Sequence, residues 1–432
     1  MKVLMLTPYL PYPLMSGGQT RSFNLIKNLS QKHEITLFSL IKDDDEKKFI
    51  PFLSKYCRKV SVFKRSRSPW IFRNILLTGF GPYPFLVIRN LAQEEKEAVK
   101  QELNKEKYDL IHAETFYVMP HLLKTEIPIL LVEQTIEYLV YKHFVEKQSP
   151  SFLRPILALD ILKLKFWETY FWKHARKVVV MSESDRGQMR KLVPGLAIDI
   201  VPNGIDVGYF AAKKRNGPPG KKVLYVGNFN WLQNTEAVKV LMKDVWPRIK
   251  KSVSDSKLWI VGTHMNAGIK SLQSDDIEIS EGLEDIREAY KGASVLVAPI
   301  KGPGGTRLKI LEAMASGLPV VTTSVGAEGL GVREGEEALI NDNFGDLAQS
   351  AIEVLQNKYL AEKLGTFGKK FVELNYTWDK SARKLNDIYN SIQEHSAVYC
   401  GDELNADMSS SFGGIPRSLE RGGCHEEVVC DK

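Results

Sequence analysis

Short apolar runs recur along the first half of the chain, at residues 3–6, 34–39, 60–63, 110–112, 129–132 and 177–181. Each is too short for a helix and rich in Val, Ile and Leu, which predicts strands buried on both faces. Longer stretches with helical patterning, such as 21–30, separate them. This alternation predicts an α/β chain with a parallel sheet and helices on both faces. The pattern pauses at Val201-Pro202-Asn203-Gly204-Ile205-Asp206, which is punctuated like a turn. It then restarts, with strands expected at 222–226, 258–261, 277–279, 295–300 and 320–323. Two doubly wound domains facing each other across a cleft are the simplest architecture, with boundaries near 1–200 and 201–375. Ligands of such sheets sit at the carboxyl ends of the strands. Gly17 and Gly18, in the loop expected after the first strand, His112, Glu114, Glu133, Gln134 and Ser182 fall at those ends. An amphipathic helix is expected at 380–392, within a segment 376–394, with Leu385, Ile388, Tyr389 and Ile392 on one face. Beyond it, residues 395–432 are acidic, poor in core formers, and read as a disordered tail.

Residues 302–321, GPGGTRLKILEAMASGLPVV, are the densest in chemistry. A buried strand runs into the glycines Gly302, Gly304 and Gly305, with Thr306 as the expected N-cap of a helix over 307–315. Gly317 and Pro319 end that helix. Glycines and two cations at a helix N-terminus suit an anion, most simply a nucleotide diphosphate. Glu312 is the one polar residue between Ile310 and Ala315. Burial of such a carboxylate needs a partner, for which a ligand's sugar hydroxyls are one option. The other is a Lys309–Glu312 pair on a solvated face.

The chain has 432 residues, a formal charge of +7 and four cysteines, three of them near the end. The mild positive excess suits a small polyanion or an acidic membrane surface, and no nucleic-acid motif accompanies it. Scarce cysteine fits a reducing compartment, so a cytoplasmic protein is expected. The spacing of Cys424, His425 and Cys430 matches no metal pattern. No run approaches the ~20 apolar residues that span a bilayer. Two segments, 64–89 and 152–176, nevertheless mix Arg and Lys with Trp, Phe and Tyr. That mixture suits a membrane interface or a lipid-linked acceptor as well as it suits ordinary helix packing.

The LEAMASGLPVV segment, the upstream VPNGID and the Gly17-Gly18 loop together resemble retaining glycosyltransferases of family 4, over most of the chain. The GGTRLK variant resembles a bacterial branch associated with exopolysaccharide and cell-surface glycan synthesis. The resemblance implies a GT-B fold of two Rossmann-like domains, with 1–200 as acceptor domain, 201–375 as donor domain, and 376–394 crossing back to the first. It implies a UDP- or GDP-sugar donor, a glycan or lipid-linked acceptor, and no metal or other cofactor. Glu312 would hold the ribose hydroxyls. Gly304, Gly305, Thr306, Arg307, Leu308 and Lys309 would meet the diphosphate, and Gly17 and Gly18 would close over it. Gly227 and Asn228, at the end of the donor domain's first strand, fall on the same side. Three departures stand out. Gly304 replaces the first of two family glutamates. Asn228 and Asn234 replace a family arginine and lysine, which shifts the diphosphate charge to Arg307 and Lys309. Gln134 stands where a histidine is common.

Glycosyl transfer needs charge stabilisation at the leaving diphosphate, assigned here to Arg307 and Lys309, and a base near the acceptor. His112, Glu133 and Glu137 are the candidates for that base, with Gln134 beside them on the acceptor side. Asp43-Asp44-Asp45 fits a D-x-D metal pattern but lies in a charge run that reads as a solvated loop. A nucleotide-sugar epimerase and a non-catalytic nucleotide-sugar-binding protein are the alternative readings. A nicotinamide oxidoreductase would need a G-x-G-x-x-G turn, which the segment 8–18 lacks.

Overall fold

The structure is a computed structural model that describes residues 1–66, 71–122, 124–212, 220–302 and 307–409, with side chains to 394. Seven strands form the first sheet: β1 Lys2–Thr7, β2 Glu34–Ile41, β3 Lys59–Lys64, β4 Leu110–Glu114, β5 Ile129–Val132, β6 Lys177–Val180 and β7 Ile198–Ile200. They pair in the order β3-β2-β1-β4-β5-β6-β7, all parallel. The second sheet holds β8 Lys222–Asn228, β9 Lys257–Thr263, β10 Ile277–Glu281, β11 Val295–Ala298, β12 Val320–Thr322 and β13 Leu339–Ile340. Its order is β10-β9-β8-β11-β12-β13, again parallel. Strands β7 and β13 were not legible in the pattern. With three and two residues they carry no period of their own.

Side-chain alternation builds a core on each face of the first sheet. Val3 and Met5 of β1 join Leu25 and Ile26 on one face, while Leu4 and Leu6 join Phe116 and Trp172 on the other. The Trp378–Ser409 helix covers the first face with Leu385, Ile388, Tyr389 and Ile392, so a segment that follows the second sheet completes the core of the first. This helix begins at a tight crossing. A Cβ on Gly204 would lie 2.5 Å from the backbone nitrogen of Trp378, so only glycine fits there. The backbone N–H of Ile205 donates to the carbonyl of Tyr376 at 2.6 Å, joining the same two segments.

Three expectations need correction. Gly17 and Gly18 are the first two residues of the Gly17–Leu29 helix rather than part of a loop. Ser16 caps that helix by accepting from the backbone N–H of Gln19, which moves its start four residues ahead of the expected 21. The second motif's helix runs Leu308–Ala315 and takes Arg307, at φ 53°, as its N-cap. Thr306, the expected cap, lies outside the described residues, as do Gly304 and Gly305. The last helix continues beyond 394 to Ser409, and the remainder of the acidic tail, with Cys424, His425 and Cys430, also lies outside them.

Candidate active site

The cleft between the sheets is lined from the first domain by Gln134, Ile136, Ser182 and Asp185 and from the second by Arg307, Leu311 and Glu328. The first-domain residues follow β5 and β6, at the carboxyl ends where the parallel topology leaves a crevice. Arg307 and Leu311 lie one helical turn apart at the start of the Leu308–Ala315 helix.

Lys309 and Glu312 do not form a pair on a solvated face. The Lys309 ammonium turns inward, donating to Asn234 Oδ1 at 2.5 Å and to the Tyr225 hydroxyl at 3.2 Å, above the Tyr225 ring. Burial, followed by the nearby Arg307 charge, depresses it from the ordinary lysine range to about 7. Asn234 also donates from Nδ2 to the Asn228 carbonyl at 2.7 Å, and a Cβ on Gly227 would press 3.0 Å from its side chain. The lysine implied by the resemblance at 234 is thus replaced by an asparagine that receives the ammonium of Lys309 from the neighbouring helix. Arg307 is almost enclosed, with burial lowering its pKa and Glu328 and Asp185 raising it. Glu312 accepts the Tyr290 hydroxyl at 2.6 Å, and burial raises its carboxyl. Its second carboxylate oxygen has no hydrogen-bond partner among the described residues. Leu308 packs against the donor-domain core.

On the first domain, a buried chain of hydrogen bonds starts at the last helix. The Tyr389 hydroxyl meets His112 Nδ1 at 2.5 Å, His112 Nε2 meets Glu114 Oε1 at 3.2 Å, and Gln134 Nε2 donates to Glu114 Oε2 and to the Tyr9 hydroxyl, both at 2.8 Å. His112 and Glu114 are fully buried. His112 therefore has both ring nitrogens engaged and meets the cleft only through Glu114 and Gln134, a geometry for positioning rather than direct proton abstraction. A Cβ on Gly18 would lie 2.4 Å from the Tyr9 hydroxyl, so Gly18 admits this chain beside the first helix. Arg21, fully buried on that helix, donates to the Pro202 carbonyl and Asn203 Oδ1, both at 3.1 Å, and fastens it to the hinge.

Glu133 and Glu137 lie behind the cleft wall. Glu133 accepts from Trp172 Nε1 at 3.0 Å, and Glu168 accepts the backbone N–H groups of Glu137 and Tyr138. Burial and then the Glu168 charge push the Glu133 carboxyl up, which holds a proton on this cluster. Burial also raises Glu137, which accepts from Thr135 at 2.8 Å. Asp44 of the D-x-D stretch is exposed and pairs with Lys47 and Lys64 at 2.8 and 2.5 Å.

Sequence reasoning missed one pair that bridges the domains. His143 Nε2 lies 3.1 Å from Glu236 Oε2, and both face Gly302, whose Cβ would lie 3.2 Å from each. A carboxylate thus stands where the glycine-rich loop begins, two residues before Gly304. Neither residue carries a local motif, because each sits in an ordinary helical stretch. Beside them a hollow of about 700 Å³ opens between Phe144 and Gln148 of one domain and Phe229, Thr235 and Lys239 of the other. That is enough for a small-molecule ligand.

Two parallel-sheet α/β domains facing each other across a cleft give the protein a GT-B fold. Residues 15–209 match the family described as Glycosyltransferase Family 4, and residues 220–357 match Glycosyl transferases group 1. Each model matches less than half of the chain; together with the fold, they support a group 1 glycosyltransferase, and the chain is a transferase. Among solved structures, it is similar to sucrose-phosphate synthase from Thermosynechococcus elongatus, with a TM-score of 0.68 and 19% identity over 91% of this chain and 99% of that one. Anabaena HepE, solved in complex with UDP-glucose, has a TM-score of 0.62 and 15% identity over 90% and 100%. An uncharacterised 44.6 kDa protein in the cps region of Klebsiella pneumoniae is 23% identical over 390 residues, 87% of this chain and 96% of that protein. Phosphatidyl-myo-inositol mannosyltransferase of Mycobacterium tuberculosis is 29% identical over 231 residues, 50% of this chain and 59% of the mannosyltransferase.

Proposed function

We propose that the protein moves a sugar, with retention and without a metal, from a nucleotide-diphosphate sugar to a hydroxyl of a glycan or lipid-linked acceptor. The observation that carries this reading is Arg307 lining the cleft as the N-cap of the helix that also holds Lys309 and Glu312. Glu312 has a free carboxylate oxygen for the ribose hydroxyls. Arg307, Lys309 and the backbone groups at the helix start balance the charge that builds on the leaving diphosphate. Glu236, with His143, supplies a carboxylate on the donor-sugar side, a duty that Gly304 cannot perform. His112 acts through Glu114 and Gln134, holding Gln134 at the cleft wall. HepE, bound to UDP-glucose, and the Klebsiella protein of the cps region support a sugar-nucleotide donor and a role in surface polysaccharide synthesis.

The acceptor domain carries a surface suited to membrane contact, and we place the protein at the inner face of a membrane. The Arg154–His174 helix has two apolar faces. Leu164 and Phe171 face the core, while Ile156, Leu159, Leu162 and Phe166 face outward. Lys163 donates to the carbonyls of Thr78 and Gly81, which holds the Phe72–Phe80 helix alongside and adds the exposed Phe72 and Phe80 to the same surface. No described helix is long and apolar enough to cross a bilayer.

Incubation with radiolabelled UDP- and GDP-sugars tests the activity. Sugar transfer, or slow release of free sugar and nucleotide, is expected. Interconversion of the intact donor would establish the epimerase reading, and binding without turnover would establish a binding protein.

A further inference from the structure

Two half-buried arginines lie on the acceptor side of the molecule without an acid in contact among the described residues. Arg65 follows β3, donates from its backbone to the Ile41 carbonyl at 2.9 Å and from Nη1 to Asn90 Oδ1 at 2.9 Å. Arg89 belongs to the Phe85–Asn90 helix. The Nε atoms of both are buried and have no hydrogen-bond partner among the described residues. Neither arginine has a carboxylate within ion-pair distance among the described residues. Other arginines do: Arg58 meets Glu34 at 2.6 Å, Arg287 meets Asp285 at 2.8 Å and Arg333 meets Glu337 at 2.6 Å. The two are also close enough for the Arg89 charge to add to burial in depressing Arg65. Glu46 acts on Arg65 and Glu137 on Arg89, but only from beyond contact.

Two like charges side by side, each with a buried and idle Nε–H donor, are costly unless an anion meets them. Guanidinium groups match the oxygens of phosphate, with charge-assisted bonds about twice as strong as neutral ones. The location is equally informative. The backbone N–H of Phe85, at the start of the Arg89 helix, donates to Asp160 of the outward-facing apolar helix. Glu137, which feels the Arg89 charge, opens the helix that follows Gln134 and Ile136 at the cleft. The pair therefore lies between the apolar surface and the site of transfer.

We propose that Arg65 and Arg89 form an anion site that takes a phosphate or diphosphate group of the acceptor. Assigning the anion to the acceptor rests on the glycosyl-transfer reading, while the existence of the site does not. Isothermal titration with inorganic pyrophosphate tests it in the full-length chain. Wild type should bind at two sites, the donor cleft and the arginine pair. Arg65→Gln with Arg89→Gln should remove one site, weakening it by at least about tenfold, and Arg307→Gln should remove the other. Arg89→Lys, which keeps the charge, should retain part of the binding and guards against a folding artefact. Wild-type pyrophosphate binding in the folded double variant overturns the proposal. Vesicles of phosphatidylcholine, with and without phosphatidic acid, separate the sources. If the double variant loses only the extra affinity for phosphatidic acid, the anion is a lipid head group. If vesicle binding is unchanged but the pyrophosphate site is lost, the acceptor is a soluble phosphorylated molecule. Failure of every sugar nucleotide to bind or turn over would sink the transferase reading and leave the pyrophosphate result to judge the anion site by itself.

Discussion

Lys309 offers a test of the donor site that does not require the acceptor. Its ammonium is held near pKa 7 by burial and by Arg307, against an ordinary lysine value of 10.5. A diphosphate bound as proposed would place two negative charges beside it and favour its protonated form. Binding must then take up a proton wherever the free site is neutral. At pH 8, one unit above the free value, about nine-tenths of the sites lack the proton, so uptake approaches ~0.9 proton per donor bound. At pH 6 it falls to about 0.1. Because binding raises the pKa, affinity is highest below pH 7 and declines above it, by up to about 1.4 kcal/mol or tenfold per unit. Isothermal titration with a nucleotide sugar, in buffers of different ionisation enthalpy at both pH values, reads the uptake. The diphosphate of a nucleotide sugar is doubly esterified and does not titrate in this range, so the proton comes to the protein. Lys309→Met should bind more weakly below pH 7 and show nearly constant uptake. Donor binding at pH 8 with no proton uptake by wild type, or the same uptake in Lys309→Met, would refute the reasoning.

Three further outcomes are expected. Glu312→Gln should weaken donor binding by about ten- to a hundredfold, the value of a hydrogen bond to a charged group, with the melting temperature little changed; unchanged affinity would remove the ribose role. Glu95 is fully buried and its carboxyl is pushed up to about 8, while its neighbour His121 is lowered to about 4 and accepts the Ala92 N–H at Nε2. The folded state therefore holds a proton that the unfolded chain releases near pH 4.5, and the stability this contributes is lost as pH rises towards 8, at roughly 1.4 kcal/mol per unit. Glu95→Gln should flatten that slope and raise the melting temperature more at pH 8 than at pH 6, and an equal shift at both would argue for a charged Glu95. Phe80→Ser with Phe152→Ser removes two highly exposed aromatic rings, so it should reduce co-sedimentation with anionic vesicles while thermal stability holds; unchanged co-sedimentation would count against membrane contact.

The sequence by itself determined the layered class and the position of most strands, because fully buried parallel strands appear as continuous apolar runs such as VLML in β1 and VLVA in β11. It also determined the helix that the structure places at Leu308–Ala315, since the apolar run and the breaker residues Gly317 and Pro319 act within one short segment. Contacts between distant segments were decided only by tertiary structure. No local pattern brings Lys309 to Asn234, 75 residues away, or Tyr389 to His112, 277 residues away. His143 and Glu236 meet only because two domains face each other, and Arg65 and Arg89 are distinctive only for what does not surround them. Local structure follows from backbone preference and the periodicity of burial. The charge state of Lys309, the positioning of His112 and the isolation of two arginines depend on desolvation and neighbouring charge, which exist only once the chain has closed around them.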